Sequence, residues 1–493
     1  MKKILALVMA LVLCICMTGC STTKKTEPAP VVTDAPVVTD APVATEAPTA
    51  EPTAEPTTEP TEAPAVAVSP FDAGYDGSEV TVRFYHTMGS NLVTVLNDYI
   101  AEFNAIYPNI KIEHTSVGGY DDVRDQISTE ITVGSQPNIA YCYQDHVALY
   151  NLALATQPLD ELIDSPTIGL TAEQKADFVP GYYAEGAMFG DGKMYTLPMS
   201  KSTEVLYYNK TFFDANNIAV PTTWDELEAV CAQIKAIDPN SIPLGYDSEA
   251  NWFITMCEQL QSPYTSANDP YFLFDNDTNR AFIKRFNEWY QKGYLTTQTL
   301  YGGYTSGLFV STGDVKSYMS IGSSAGATHQ RPTKEADGSY PFEVGIATIP
   351  QADVNNKKVI SQGPSLCIFK KDNPQEVIAS WLFVKFLTTT VEFQAEFSIA
   401  SGYVPVLKSV AEHPVYAEQL SKADGGDYIS MLSAKVCLEQ ADAYYTSPAF
   451  NGSSEARDQV GNIITKALPS KDIDGDIDDI FQDAIDECEY AIW

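Results

Sequence analysis

The clearest signal along the chain is a hydrophobic pattern whose period keeps switching. "EVTVRFYH" (79–86) alternates apolar and polar positions, the mark of a half-buried strand. Directly after it, Leu92, Val95, Leu96, Tyr99, Ile100 and Phe103 recur at three and four residues, one apolar face of a helix. "NIKIEHTSV" (109–117) returns to strand character after the break at Pro108, and "PNIAYCYQ" (137–144) is a third strand. Strand, helix, strand is a βαβ unit and implies a parallel sheet, so the fold class is α/β. "TTWDELEAVCAQIKAI" (222–237) predicts a helix capped by Thr223, with Glu226 three residues on completing a capping box. Ile477, Ile480, Phe481, Ala484, Ile485 and Cys488 fall on one face of a last helix.

Two N-terminal stretches carry neither period. Lys2 and Lys3 precede Ile4–Met17, fourteen residues without a strongly polar side chain. That is short for a bilayer span and suits a signal-peptide core. It ends in "MTGC" (17–20), which resembles a bacterial lipobox, so residues 1–19 are expected to be a lipoprotein signal peptide and Cys20 the lipidated first residue of the mature chain. Residues 21–70 repeat Thr, Pro, Ala and Glu or Asp, with ten prolines and no tyrosine or tryptophan before Phe71. Such a segment has nothing to bury, and 20–70 is read as a lipid anchor followed by an extended tether.

Charge and cysteine usage narrow the function. The 493 residues include 30 Lys+Arg and 65 Asp+Glu, a net charge of −35, and no basic stripe; nucleic acid is not the expected partner. Of nine cysteines, three lie within the first 20 residues; Cys142, Cys231, Cys257, Cys367, Cys437 and Cys488 form no C-x-x-C and read as buried thiols, with disulfides the alternative in an exported protein. No metal or cofactor is expected. "DIDGD" (472–476) has Gly475 at the wrong place for a calcium loop and reads as the acidic start of the last helix. "GSSAG" (322–326) fits the nucleophile-elbow pattern around Ser324, for which Asp372 and His413 could be nominated as partners, a remote serine-esterase reading.

Longer motifs point elsewhere. "YTLPMSKSTEVLYYNKTFFDANNIAVPTTWDEL" (195–227) and "ASWLFVKFLTTTVEFQAEFSIASGYVPV" (379–406) resemble the family 1 extracellular solute-binding proteins of ABC importers. The resemblance implies a two-lobed periplasmic-binding-protein type II fold with a ligand cleft between lobes, lobe 1 being 78–200 plus 363–408 and lobe 2 being 201–362 plus 409–493. It also implies hinge closure, ABC permease subunits as partners, a monomer and no enzymatic activity; the lipobox and tether add a place on the outer face of the bacterial cytoplasmic membrane. Within the family the chain is most similar to the glycerol-3-phosphate and glycerophosphodiester binders. That likeness assigns Tyr120, Ser202, Trp224, Ser323, Gly363, Tyr403 and Arg457 as ligand-binding residues, with Trp224 and Tyr120 flanking the glycerol and the others holding phosphate. Gln144 stands where those proteins carry an acidic residue, with Asp145 beside it, and Lys201 stands where a small hydroxyl residue is usual. Hydroxyls, amides and a guanidinium fork are what a phosphate wants. A carbohydrate or oligosaccharide remains the alternative ligand; it would call for more carboxylates and amides, with aromatic faces for stacking.

Overall fold

In the computed structural model the described residues are 69–447 and 449–492. The leader, Cys20 and nearly all of the tether therefore lie outside them. Two mixed sheets with the same topology organise this region. The first contains β1 (Val80–His86), β2 (Ile110–Ser116), β3 (Ile139–Cys142), β4 (Thr196–Pro198) and, much later in the chain, β11 (Ser365–Ile368), in the order β2-β1-β3-β11-β4. The second contains β5 (Glu204–Asn209), β6 (Leu244–Tyr246), β7 (Leu295–Thr297), β8 (Met319–Ser323) and β9 (Val344–Thr348), in the order β7-β6-β8-β5-β9. In each, the fourth strand (β11 or β5) runs antiparallel to both of its neighbours and the other four run in one direction.

Each sheet has its own core. Phe84, Tyr141, Leu197, Leu366, Trp381 and Phe383 belong to the first. In the second, Trp252 stacks between Tyr246 (4.6 Å) and Phe286 (4.0 Å). Such rings bury large apolar areas, and offset stacks add about 0.5–1.5 kcal/mol beyond that. The first core also takes in Tyr416 and Met431.

The βαβ start, the helix capped by Thr223 and the last helix form as the pattern predicts. The first helix is Ser90–Ile106, and Thr223 and Glu226 close a capping box on Trp224–Ile237. Asp472 caps Ile473–Ala491 by accepting from the Gly475 amide, a helix start and not an ion loop. The third strand is shorter than expected. Tyr143 is extended, but its carbonyl already accepts from Val147, so a helix, Gln144–Leu152, replaces the end of the strand.

The lobes are joined by segments that pair with one another. Residues 199–203 lead from β4 to β5, and 361–364 lead back from β10 (Val359–Ile360) to β11. Ser202 and Gln362 exchange backbone hydrogen bonds of 3.0 and 2.8 Å, and the Lys201 amide donates to Val404 (3.0 Å). β12 (Tyr444–Tyr445) pairs in parallel with β10. Gly363 is required here: its φ is +92°, and a Cβ would sit 2.5 Å from the Ser200 carbonyl oxygen and 2.8 Å from Lys201 Cα.

Candidate functional site

The strand-to-helix turn at Tyr143 aims the start of Gln144–Leu152 at the opposite lobe. Facing it is the start of helix Ser453–Ala467. That helix begins where Gly452 takes φ +100°, a turn at which a Cβ would meet Ile492 at 2.4 Å. Its buried face, Ala456, Val460, Ile463, Ile464 and Ala467, fixes it to lobe 2. Ser453 and Arg457, four residues apart, share the remaining face and line an interlobe cavity. Tyr143, Gln144 and Asp145 line it from lobe 1, Tyr264 from lobe 2, and Ser361 and Gln362 from the crossing segment. "NGSSEAR" is thus a helix start and not a loop; Gly452 and the two serines are the signal for it.

Two helix N-termini therefore meet at one cavity, and their positive ends add to the Arg457 charge. Arg457 Nη2 donates to Asn251 Oδ1, which holds the guanidinium in place. Burial opposes its charge, but Asp145 and the nearby Tyr143 and Tyr264 hydroxyls more than offset this and hold its pKa above the ordinary arginine value. Asp145 Oδ2 is buried without a hydrogen-bond partner. Behind Asn251, burial pushes Glu204 up to about 8 despite a 2.8 Å bond from Tyr246 Oη.

A row of tyrosines backs the lobe 1 wall. Tyr120 lies 4.5 Å ring to ring from Tyr143, and its hydroxyl is 3.3 Å from that of Tyr403. A clasp closes one side: Arg124, from lobe 1, donates to Ser454 Oγ (3.0 Å) and Asp458 Oδ2 (3.1 Å) across the cleft. The cavity is only about 50 Å³. Ligand pockets run to roughly 300–1,000 Å³, so the lobes must part to admit one.

Of the residues expected at the site, Gln144 and Arg457 line this cavity, and Tyr120 and Tyr403 form the layer behind Tyr143. Ser202 and Gly363 sit in the crossing segments, where they brace Gln362. Two are placed elsewhere. Trp224 is 3% exposed in the lobe 2 core, its indole N–H donating to Gln259 (2.7 Å), because the apolar face of its helix turns inward. Ser323 caps the turn after β8, its hydroxyl accepting from the Ala325 amide. Lys201, the cation standing where a small hydroxyl residue is usual in the resembled proteins, is ion-paired to Glu185. Tyr143, Tyr264, Asn251 and Glu185 were missed: they come from four separate elements, and no local motif links them. Ser324 is fully buried; its hydroxyl accepts from the Thr203 amide and its carbonyl from Ser433 and Tyr207, so neither Asp372 nor His413 is bonded to it. Among the described residues no three His, Cys, Asp or Glu side chains could jointly hold a metal, and all six cysteines there are buried free thiols.

The bacterial extracellular solute-binding protein family matches residues 98–422, two thirds of the chain. The chain belongs to that family. Over 350 residues this solute-binding protein is 24% identical to the sn-glycerol-3-phosphate-binding periplasmic protein UgpB of Escherichia coli K12, covering 67% of this chain and 75% of the relative. UgpB of Shigella flexneri is 25% identical over the same length and coverage. In fold it is similar to UgpB of Mycobacterium tuberculosis in complex with glycerophosphocholine (TM-score 0.68, 16% identity, covering 84% of this chain and 99% of the other). It is also similar to maltose-bound MalE3 of T. maritima (TM-score 0.65, 16% identity, covering 83% and 99%). The two-lobed architecture of this solute-binding protein is thus that of periplasmic binding proteins, as its motifs imply.

Proposed function

We propose that this solute-binding protein is the receptor of an ABC importer and captures a glycerol phosphate compound, glycerol-3-phosphate or a glycerophosphodiester, between its lobes. The observation that carries the reading is the convergence of Arg457 with two helix N-termini on one interlobe cavity. An anion is what that arrangement stabilises, and a planar fork suits phosphate. Asp145 and Gln144 would accept and donate to glycerol hydroxyls. Opening and closing about residues 199–203 and 361–364 would load the site and present the closed form to permease subunits. The curated relatives named for sn-glycerol-3-phosphate support the ligand class.

A carbohydrate is the second reading, favoured by a specific feature: the cavity pairs the Tyr143 and Tyr264 rings with the Gln144 and Gln362 amides and a carboxylate. Thermal unfolding with added ligand separates the two, since a ligand bound only by the native state raises its melting temperature. Glycerol-3-phosphate or glycerophosphoglycerol should raise it by more than maltose does; the opposite ranking assigns the cleft to sugars.

From "MTGC" we also propose that Cys20 carries a lipid and that the receptor stands off the outer face of the cytoplasmic membrane on its tether. Cys20→Ala should release the protein into the medium or leave it with its leader attached. Detergent partitioning equal to that of the unmodified sequence would refute the anchor.

A further inference from the structure

One buried carboxylate under the cavity controls charge that a ligand would otherwise meet. Glu185 and Lys201 are 4% and 1% exposed and form an ion pair. Glu185 is saturated with donors. Its Oε2 accepts from Lys201 and from Gln144 Nε2 (3.3 Å), and its Oε1 from Ser361 Oγ (2.8 Å) and Thr446 Oγ1 (3.0 Å). Gln144, Ser361 and Thr446 are themselves cavity-lining residues. Glu185 thus cancels a lysine and draws three side-chain donors of the cavity toward itself. Among the described residues lining the cavity the cation is Arg457, and the unpartnered Asp145 Oδ2 opposes even that.

We propose that Glu185 is a specificity-determining residue: by caging Lys201 it sets the charge the cleft accepts, admitting a phosphodiester with one negative charge and disfavouring a phosphate monoester with two. The inference rests on the phosphate reading of the site. A second ligand charge would be desolvated with no second free cation to meet it, and burying an unpaired charge is costly. A lysine released from Glu185 would supply that cation from the crossing segment, next to Ser202 and Gln362.

The test is calorimetric titration of the intact protein with glycerophosphoglycerol and sn-glycerol 3-phosphate at pH 8 and pH 5.5. A phosphate monoester loses its second charge near pH 6, whereas the diester keeps one charge throughout. The charged and titratable neighbours of the pair are Tyr182, Cys142, Asp145 and Arg457, with Asp458 and Glu204 beyond Arg457. Burial raises Asp458 to about 6 and Glu204 to about 8, and their discharge relieves a doubly charged monoester more than the diester. Glu185→Gln keeps both carboxylates, so its effect on the ratio at pH 8 isolates the Glu185–Lys201 pair. The unmodified protein should bind the diester about tenfold or more tighter than the monoester at pH 8, with the gap closing at pH 5.5. Glu185→Gln should raise monoester affinity relative to diester by about tenfold or more, and adding Lys201→Met to it should restore the original preference. Equal or tighter monoester binding at pH 8, or an unchanged ratio in Glu185→Gln, overturns the role of Glu185 while phosphate binding stands. Failure of both probes to bind, with maltose binding retained, overturns the phosphate reading and this inference with it. Even if the variants do not fold, equal or tighter monoester binding by the unmodified protein at pH 8 overturns the proposal.

Discussion

Arg457→Ala should weaken binding of a glycerophosphodiester by roughly 30-fold or more, the ~2–5 kcal/mol expected when one partner of a buried charge pair is removed. The guanidinium is held by Asn251 on one side and faces the cavity on the other, so a ligand meets it already oriented. Removing it leaves Asp145 as an uncompensated carboxylate on the facing wall of the cavity, which adds repulsion to the lost attraction. Arg457→Lys should recover only part of the affinity, because a compact ammonium cannot donate to the Asn251 anchor and also present a planar fork to two phosphate oxygens. Calorimetric titration of the three proteins checks this; a change under about 1 kcal/mol in both variants would make Arg457 an ordinary surface cation.

The second large effect is on stability. Lys201→Met should lower the free energy of unfolding by about 3–5 kcal/mol, because it strands Glu185, a buried carboxylate, without its counter-ion. Ser361, Gln144 and Thr446 would still donate to Glu185, but none carries charge. Pairing Lys201→Met with Glu185→Gln should recover most of the loss, since neutral, filled volume in place of a buried ion pair is often tolerated. Urea unfolding followed by tyrosine and tryptophan fluorescence measures both. A single variant as stable as the unmodified protein would show that the pair contributes nothing to the junction between lobes.

The elements that were legible before the structure are those where one local rule suffices. β1, the helix after it and β2 follow hydrophobic period alone. Thr223 with Glu226 is capping chemistry written within four residues, and the acidic run at 472–476 marks the start of the last helix. The site was legible only in part, because it is assembled from separate segments. Arg457 and Gln144 could be found because each sits in a recognisable stretch. Tyr264 and Asn251 could not, since their only tie to Arg457 is the packing of two lobe 2 helices. Trp224 misleads for the opposite reason: it lies in a recognisable motif, yet the capping box that starts its helix also rotates the indole into the core. Lys201 misleads because its partner, Glu185, comes from a short turn before β4 that carries no pattern of its own.

The central claim, that the interlobe cavity beside Arg457 is the ligand site and takes phosphate, is tested most directly by a crystal structure of the protein grown with glycerophosphoglycerol. The account predicts phosphate oxygens at hydrogen-bond distance, about 3 Å, from the Arg457 guanidinium, with glycerol hydroxyls on Asp145 or Gln144. A ligand bound instead in the open groove on lobe 2 beside Trp224 and Arg285, or a cleft in which Arg457 still contacts only Asn251 while the ligand lies elsewhere, would contradict it.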